Sequence, residues 1–430
     1  MSAATGAGVQ WDARQGVRHD AGAGARRVLE RCDELAAVSA LAHGIERVHL
    51  SPEHACANAL AAGWVRECGA RTWTDQAGNL WGRLEGREPG LPALVLGSHL
   101  DTVTDAGRYD GVLGVLSAVE VARRLAPRAG ELPFALELVA FSDEEGTRFS
   151  TALTGSSAVA GTWDEAWWER RDRDGVTVRR AAEEFGLDPS RIGEAARAPQ
   201  DLVGYLELHI EQGPLLEAAG RPLGVVTSVA GARRFAGRVV GEARHAGGTP
   251  YPARRDALVG AAEVVLAVER LAVQRGGIAT VGRLQAHPGG VNVVPGLVEF
   301  SLDVRAERDE DRDALVAAVE EHARGVCAER RLGFELTEVH RAAGVGCDAD
   351  LTASVVAGIA ATGDADPLRT WSRAGHDAMA VAAVTPVAML FVRCEGGVSH
   401  APAEAVTAAD VAAGLDALEA AVLDVAARRA

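Results

Sequence analysis

Five short stretches of the chain place histidines and carboxylates at spacings suited to metal or hydrolytic chemistry. His99 and Asp101 stand two apart in Gly97–Val103. An extended backbone puts alternate residues on one face, so the carboxylate can steady one imidazole nitrogen while the other binds a cation or orients a base. Asp110 follows in Tyr109-Asp110-Gly111. Asp143, Glu144 and Glu145 come straight after an apolar run, an arrangement that is costly unless cations neutralise it. Neighbouring acids can also divide labour, one holding a metal and one moving a proton. His209 lies in Glu207–Pro214 and His400 in Gly396–Pro402. Two histidines, a bridging carboxylate, a third histidine and a glutamate are together what two divalent cations need: nitrogen and oxygen donors with room left for water.

Each fragment has a plain structural reading as well. His99 and Asp101 can be a surface polar pair, and Asp110 can cap the helix that follows it. The three acids can form a solvated turn, and His209 or His400 taken singly can be structural. The residues alone leave these alternatives open.

The elements that must carry these residues are legible from periodicity. Ala93–Gly97 and Phe134–Phe141 are short apolar runs ending in polar clusters, the pattern of buried strands opening onto a site at their carboxyl ends. Arg71–Thr74 and Leu80–Leu84 are strands around a turn at Asp75–Asn79, and Val384–Val392 is a further buried strand. Gly111–Leu125 is a helix. Apolar residues recur at helical spacing from Ala21 to about Cys68, including Val28, Leu35, Val38 and Leu41, with Ser51 and Pro52 marking a helix start. Val176–Phe185 is a short helix within an Arg/Asp/Trp-rich stretch expected to be exposed.

After Arg221-Pro222 the pattern changes. Leu223–Val229, Arg234–Val240, Ala279–Gln285, Leu297–Ala306 and Glu335–His340 are strands, and Asp256–Arg275 and Arg312–Arg331 are helices. This segment has the size of an inserted domain, and α/β patterning returns from Leu351 to a closing helix over 408–430. The expected organisation is therefore a discontinuous domain, 1–222 with 341–430, around an insert, 223–340. Residues 1–20 are Gly/Ala-rich and polar, expected as a frayed tail.

Composition removes several classes of function. The 44 cationic residues are all arginine, which excludes a Schiff-base, pyridoxal-phosphate or P-loop lysine. With 60 acids against those 44, the net charge is −16, which argues against nucleic-acid and anionic-membrane partners. The six cysteines are scattered without a Cys-x-x-Cys pair, so reduced, mostly buried thiols are expected. With no apolar leader segment and no long apolar run, the expectation is a cytoplasmic protein.

These motifs resemble those of the metal-dependent amidohydrolase branch of the M20 superfamily, which holds N-carbamoyl-L-amino-acid hydrolases, allantoate amidohydrolases and β-ureidopropionases. The resemblance runs from about Gly44 to Ala430, through GSHLDTV, YDG, FSDEEGTRF, HIEQGP, GEARHAGGTP, NVVPG, DVR, AGHDA and GGVSHAP in the family's order. It implies an α/β fold: a zinc-exopeptidase-like catalytic domain with a mixed sheet flanked by helices, plus an inserted α+β lid and dimerisation domain. It implies two divalent ions per subunit, Mn²⁺, Zn²⁺, Co²⁺ or Ni²⁺. His99 and His209 would hold one, Glu145 and His400 the other, and Asp110 would bridge them. Glu144 would be general base and acid, and Asp101 would orient His99. A histidine at 209, where related peptidases usually place a carboxylate, favours the amidohydrolases.

The resemblance further implies that Gln212, Arg234, His245, Asn292 and Arg305 bind substrate. Arg305 suits a bidentate grip on a carboxylate, and His245 suits stabilisation of a developing oxyanion. The implied partners are a small carboxylate-bearing substrate and a second copy of the chain through the lid, whose closure would exclude water. Three positions depart from the family pattern: Gly248 and Tyr251 in the His245 loop, and Arg373 where glycine is usual. If Arg373 faces the pocket it favours a second carboxylate. His376 and Asp377 are expected to support the site near His400, while His54, His287, His322 and His340 are structural or exposed. The expected reaction is hydrolysis of a linear C–N amide bond in a ureido compound. The rivals are a dipeptidase or N-acyl-amino-acid deacylase using the same centre, or a catalytically silent binding protein.

Overall fold

Strands apolar on both faces are stable only inside a covered sheet, and the first structural unit is built on four of them. The computed structural model describes residues 21–429; the tail expected over residues 1–20 lies outside the described residues. Chain contacts divide the molecule into two units, one running to Thr227 with Cys347–Thr370 and everything from His376 onward, the other made of Ser228–Gly346 and Trp371–Gly375.

In the first unit Ala135–Phe141, Ala93–His99, Leu202–Ile210 and Val387–Val392 lie side by side and parallel. Their residues are almost all buried. Antiparallel strands extend the sheet on both sides, Leu80–Leu84 and then Arg71–Thr74 beyond Ala135–Phe141, and Leu223–Val229 beyond Val387–Val392. The sheet is thus mixed, and helices cover it: Val112–Leu125, Ala349–Ala361 and Ala408–Arg429 bury apolar faces in one core with the strands. The site-bearing segments all leave the carboxyl ends of the parallel strands, where such sheets open into a crevice.

The second unit holds an antiparallel sheet in which Leu297–Arg305 pairs with Ala232–Val240, and Ala232–Val240 with Gly333–Arg341. Burial alternates along Ala232–Val240 and Leu297–Arg305, because one face packs on the helices Ala257–Arg275 and Asp309–Glu329. On the first of these helices Val259, Leu266 and Val273 are exposed at seven-residue spacing, Leu266 to 67% and Val273 to 76%.

Several expectations are corrected. The helical region from Ala21 is two helices, Ala21–Ala36 and Pro52–Glu67, so Val38 and Leu41 fall in the connecting loop. The second helix is capped by Ser51, whose side chain accepts the His54 N–H. Ala279–Gln285 is not one strand but two, Ile278–Thr280 and Leu284–His287. Thr280 pairs with Asp303 and Leu284 with Phe300, so the break over residues 281–283 carries one residue more than its partner. Strand Leu223–Val229, expected in the insert, hydrogen-bonds to Val387–Val392 and continues the first sheet. The Trp-rich stretch is not uniformly exposed: Trp168 is buried with Phe149 and Val178 in a side cluster. Among the described residues no helix is long and apolar enough to cross a membrane.

Candidate metal and catalytic centre

Three imidazoles converge on one carboxylate. Asp110 Oδ1 lies 3.8 Å from His99 Nε2 and 3.2 Å from His209 Nε2, and Asp110 Oδ2 lies 3.0 Å from His400 Nε2. Glu145 Oε1 is 3.5 Å from the same His400 nitrogen. Two donor sets meet at this carboxylate, His99 with Asp110 and His209, and Asp110 with Glu145 and His400. Asp110 belongs to both. A third group, Glu207 with His209 and His376, lies behind His209.

The second ring nitrogens fix how the first ones face. His99 Nδ1 is 3.1 Å from the Asp101 carbonyl and His209 Nδ1 is 2.9 Å from the Ile210 carbonyl. A carbonyl only accepts, so Nδ1 carries the hydrogen and each Nε2 lone pair points at Asp110. In His209 that lone pair takes the Gly111 N–H at 3.2 Å. Gly111 has φ of 66°, and a Cβ there would sit 2.4 Å from the His99 ring. Asp110 therefore does not cap the following helix. Gly111 occupies the cap position without a side chain, and the Asp110 carboxylate is turned to the histidines.

Asp101 does more than steady the His99 imidazole. Its Oδ1 accepts the backbone N–H groups of Asp143 and Glu144 at 3.1 and 3.0 Å, and its Oδ2 accepts that of Glu145 at 3.0 Å. The carboxylate is farther from His99 Nδ1, at 3.4 Å. The acidic stretch is thus a buried turn pinned at its amides, with Thr154 donating to Asp143 Oδ2 at 2.8 Å, and the solvated-turn alternative fails. Asp143, Gln212 and His400 all have positive φ without being glycine, a strained state that clusters at functional sites.

Burial and like charge set the protonation of this cluster. Burial pushes the Glu144 carboxyl well above its ordinary range, with Glu145, Asp377 and Asp101 adding and His99 opposing. Burial and the neighbouring Asp110 raise Glu145 to about 7. Burial also disfavours charge on Asp110, but the facing His209 and His400 imidazoles, when protonated, outweigh it and hold Asp110 well below the usual carboxylate range. The hydrogen bond to Asp110 raises His400 to about 9. Buried acids and raised imidazoles at one point are a cluster that exchanges protons for cations.

Gln212, expected on substrate, donates through Nε2 to Asp110 Oδ2 at 2.9 Å. His376 stacks edge-on against His209, ring centres 4.5 Å apart. Asp377 is fully buried. The other expected substrate residues form two groups in the second unit. Arg305 Nε and Arg234 Nε both donate to Asp303, at 2.9 and 2.8 Å; Arg305 also donates to the Arg373 carbonyl at 2.6 Å. His245 pairs with Val293, and the Ala246 N–H donates to the Asn292 carbonyl at 2.9 Å. Of the departures, Gly248 donates its N–H to His245 Nδ1 at 2.9 Å, Tyr251 is exposed under the Arg254 guanidinium, and Arg373 lies on Trp371 at 4.4 Å. Sequence reasoning missed Asp303, although it lies in the quoted DVR motif, and Ser399, beside His400, whose Oγ is 3.1 Å from Asp110 Oδ2.

Comparison with known proteins places this geometry in context. The model of peptidase family M20/M25/M40 matches residues 95–424. A probable allantoate deiminase of Oryza sativa subsp. japonica is 40% identical over 420 residues, covering 90% of this chain and 85% of that protein. An N-carbamoyl-L-amino acid amidohydrolase of Geobacillus stearothermophilus is 39% identical over 376 residues, covering 87% and 92%. A crystal structure of a hydantoinase/carbamoylase family amidase from Burkholderia multivorans superposes with a TM-score of 0.87 at 34% identity, over 94% of this chain and 98% of that one.

Proposed function

The chain belongs to peptidase family M20/M25/M40, and from that membership we propose that it is a metal-dependent amidohydrolase of a linear C–N bond in a carboxylate-bearing ureido compound, an N-carbamoyl amino acid or allantoate. The observation that carries this reading is the pair of donor sets sharing Asp110, with Glu144 beside them and in neither.

The donor sets fit divalent ions. Imidazole nitrogens and carboxylate oxygens suit Zn²⁺, Mn²⁺, Co²⁺ or Ni²⁺, and the Nε2 lone pairs already face the shared carboxylate. In this reading His99, Asp110 and His209 hold one ion, and Asp110, Glu145 and His400 the other. Ions bound there supply Lewis acidity to the carbonyl and acidity to water. Glu144 takes the proton of the attacking water and returns it to the leaving nitrogen; its raised proton affinity suits both steps. Asp101 keeps Glu144 and Glu145 in register by holding their amides. Arg305, steadied by Asp303 alongside Arg234, takes the substrate carboxylate. Asn292 reads a polar end, and His245 donates to the carbonyl oxygen as it gains charge. For a carbamoyl substrate, one water converts it to ammonia, carbon dioxide and the free amine. A second copy of the chain is the proposed partner, supported by the exposed Val259, Leu266 and Val273 face in the second unit.

Glu144→Gln tests the assignment. The expected result is unchanged metal content by mass spectrometry with kcat lower by a factor of at least about 10². Near-normal turnover would remove Glu144 from the mechanism.

A further inference from the structure

One buried acid outside both donor sets touches them at two points. Glu404 is 4% exposed, and its Oε1 accepts the backbone N–H of Tyr109 at 2.7 Å and of Asp110 at 3.1 Å. Its Oε2 lies 2.9 Å from Ser399 Oγ, and that hydroxyl lies 3.1 Å from Asp110 Oδ2. Gly107 makes room for it, since a Cβ there would stand 2.3 Å from the Glu404 carboxyl carbon. The side chain therefore joins the backbone of Asp110 to the loop that carries His400.

That loop needs such a tie. The His400 side chain is 49% exposed and its backbone has φ of 55°, so neither burial nor a relaxed conformation holds the imidazole in place. We propose that Glu404 is a positioning residue that locks Asp110 to the His400 loop through Ser399 and so builds the Asp110–Glu145–His400 donor set. The inference rests on the reading of these residues as metal ligands.

The hydrogen count defines which property of Glu404 matters. Ser399 has one hydroxyl hydrogen and faces two carboxylates. A glutamine at 404 keeps an oxygen for the two backbone N–H groups and offers Nε2–H to Ser399 Oγ, freeing the serine hydrogen for Asp110. Alanine offers nothing to either side. Glutamine is therefore expected to preserve the lock and alanine to break it.

The test is a Mn²⁺ titration of the full chain by calorimetry, with bound metal counted after dialysis, for the unaltered protein, Glu404→Gln and Glu404→Ala. The expected result is two ions in the unaltered chain and in Glu404→Gln. In Glu404→Ala one of the two sites should lose affinity by about 10- to 100-fold, the range for removing a residue that orients a metal ligand, and the other should change less. A folded Glu404→Ala with both affinities unchanged overturns the proposal. So does a Glu404→Gln that loses the second ion as fully as alanine. Should Glu404→Ala fail to fold, Ser399→Ala decides: it leaves the backbone contacts of Glu404 intact, and unaltered binding of both ions in it overturns the lock. An unaltered chain that binds none of Mn²⁺, Co²⁺, Ni²⁺ and Zn²⁺ refutes the metal reading itself and takes this inference with it.

Discussion

Asp101 offers the sharpest perturbation, because two substitutions there remove different numbers of contacts. Its Oδ1 accepts two backbone N–H groups and its Oδ2 a third, and the side chain is 2% exposed. Asp101→Ala leaves three buried donors without an acceptor. At about 1–3 kcal/mol for each such group, the loss is about 3–9 kcal/mol, a large share of the roughly 5–15 kcal/mol that holds a typical protein together. Asp101→Asn is nearly isosteric. Its oxygen can keep the Asp143 and Glu144 donors while its amide faces the Glu145 N–H, so about one group is stranded, at about 1–3 kcal/mol. Urea unfolding with matched slopes measures the two losses, and amide hydrogen exchange over residues 142–146 locates them. Alanine should cost two to three times what asparagine costs, and the asparagine variant should exchange faster chiefly at Glu145. Equal losses in the two variants, or losses within about 0.5 kcal/mol of zero, the range of ordinary surface changes, would refute the pinned turn.

Two buried imidazoles work against stability in mild acid, opposed by the raised Glu144 and Glu145 carboxyls, which take up protons in the folded chain. Burial lowers His49 to about 3, with His54 adding, and lowers His54 to about 4, with Arg47 adding. Above pH ~6.5 both states are neutral and nothing is lost; below it the unfolded chain binds the extra protons. At pH 5 each group then costs about 2 kcal/mol (about 1.5 pH units at 1.36 kcal/mol each). Between pH 7 and pH 5 a His54→Gln chain should therefore lose about 2 kcal/mol less than the unaltered chain in urea unfolding, and an identical pH dependence of the two would contradict the assignment. Leu266→Glu places a charge within the exposed apolar face of Ala257–Arg275, and light scattering should show dissociation to single chains with the fold intact. Gly111→Ala drives a Cβ toward the His99 ring at 2.4 Å and strains a positive φ. Metal content should fall more than thermal stability does, and full metal content would show that the ring can move aside.

Much of the centre was legible because its residues sit where buried strands end. An apolar run followed by His-x-Asp or by three acids signals both the strand and the crevice at its carboxyl end, and the strands Ala93–His99 and Ala135–Phe141 carry His99 and the acidic turn as expected. What was not legible were contacts made across the chain. Nothing local to Asp101 shows that it accepts amides 42 to 44 residues away, and a local reading assigns it to the nearest imidazole. Asp110 looks like a helix cap because the residue type fits; only the positive φ of Gly111 shows that the cap lies one residue later. The break over residues 281–283 reads as continuous strand because an extra residue is defined by the partner's register, not by the local sequence. Glu404 carries no spacing signal at all, since its partners at 109 and 110 are nearly 300 residues away.

The central claim is that these donors serve hydrolysis of a ureido C–N bond. It is tested most directly by ammonia release from allantoate, N-carbamoyl-L-amino acids and N-carbamoyl-β-alanine, using chain stripped of metal and reloaded separately with Mn²⁺, Co²⁺, Ni²⁺ and Zn²⁺. The account predicts turnover of at least one of these substrates, absent in the stripped chain and restored by reloading. Equal turnover with and without metal, or none from any of the three classes with two ions bound per chain, would contradict it.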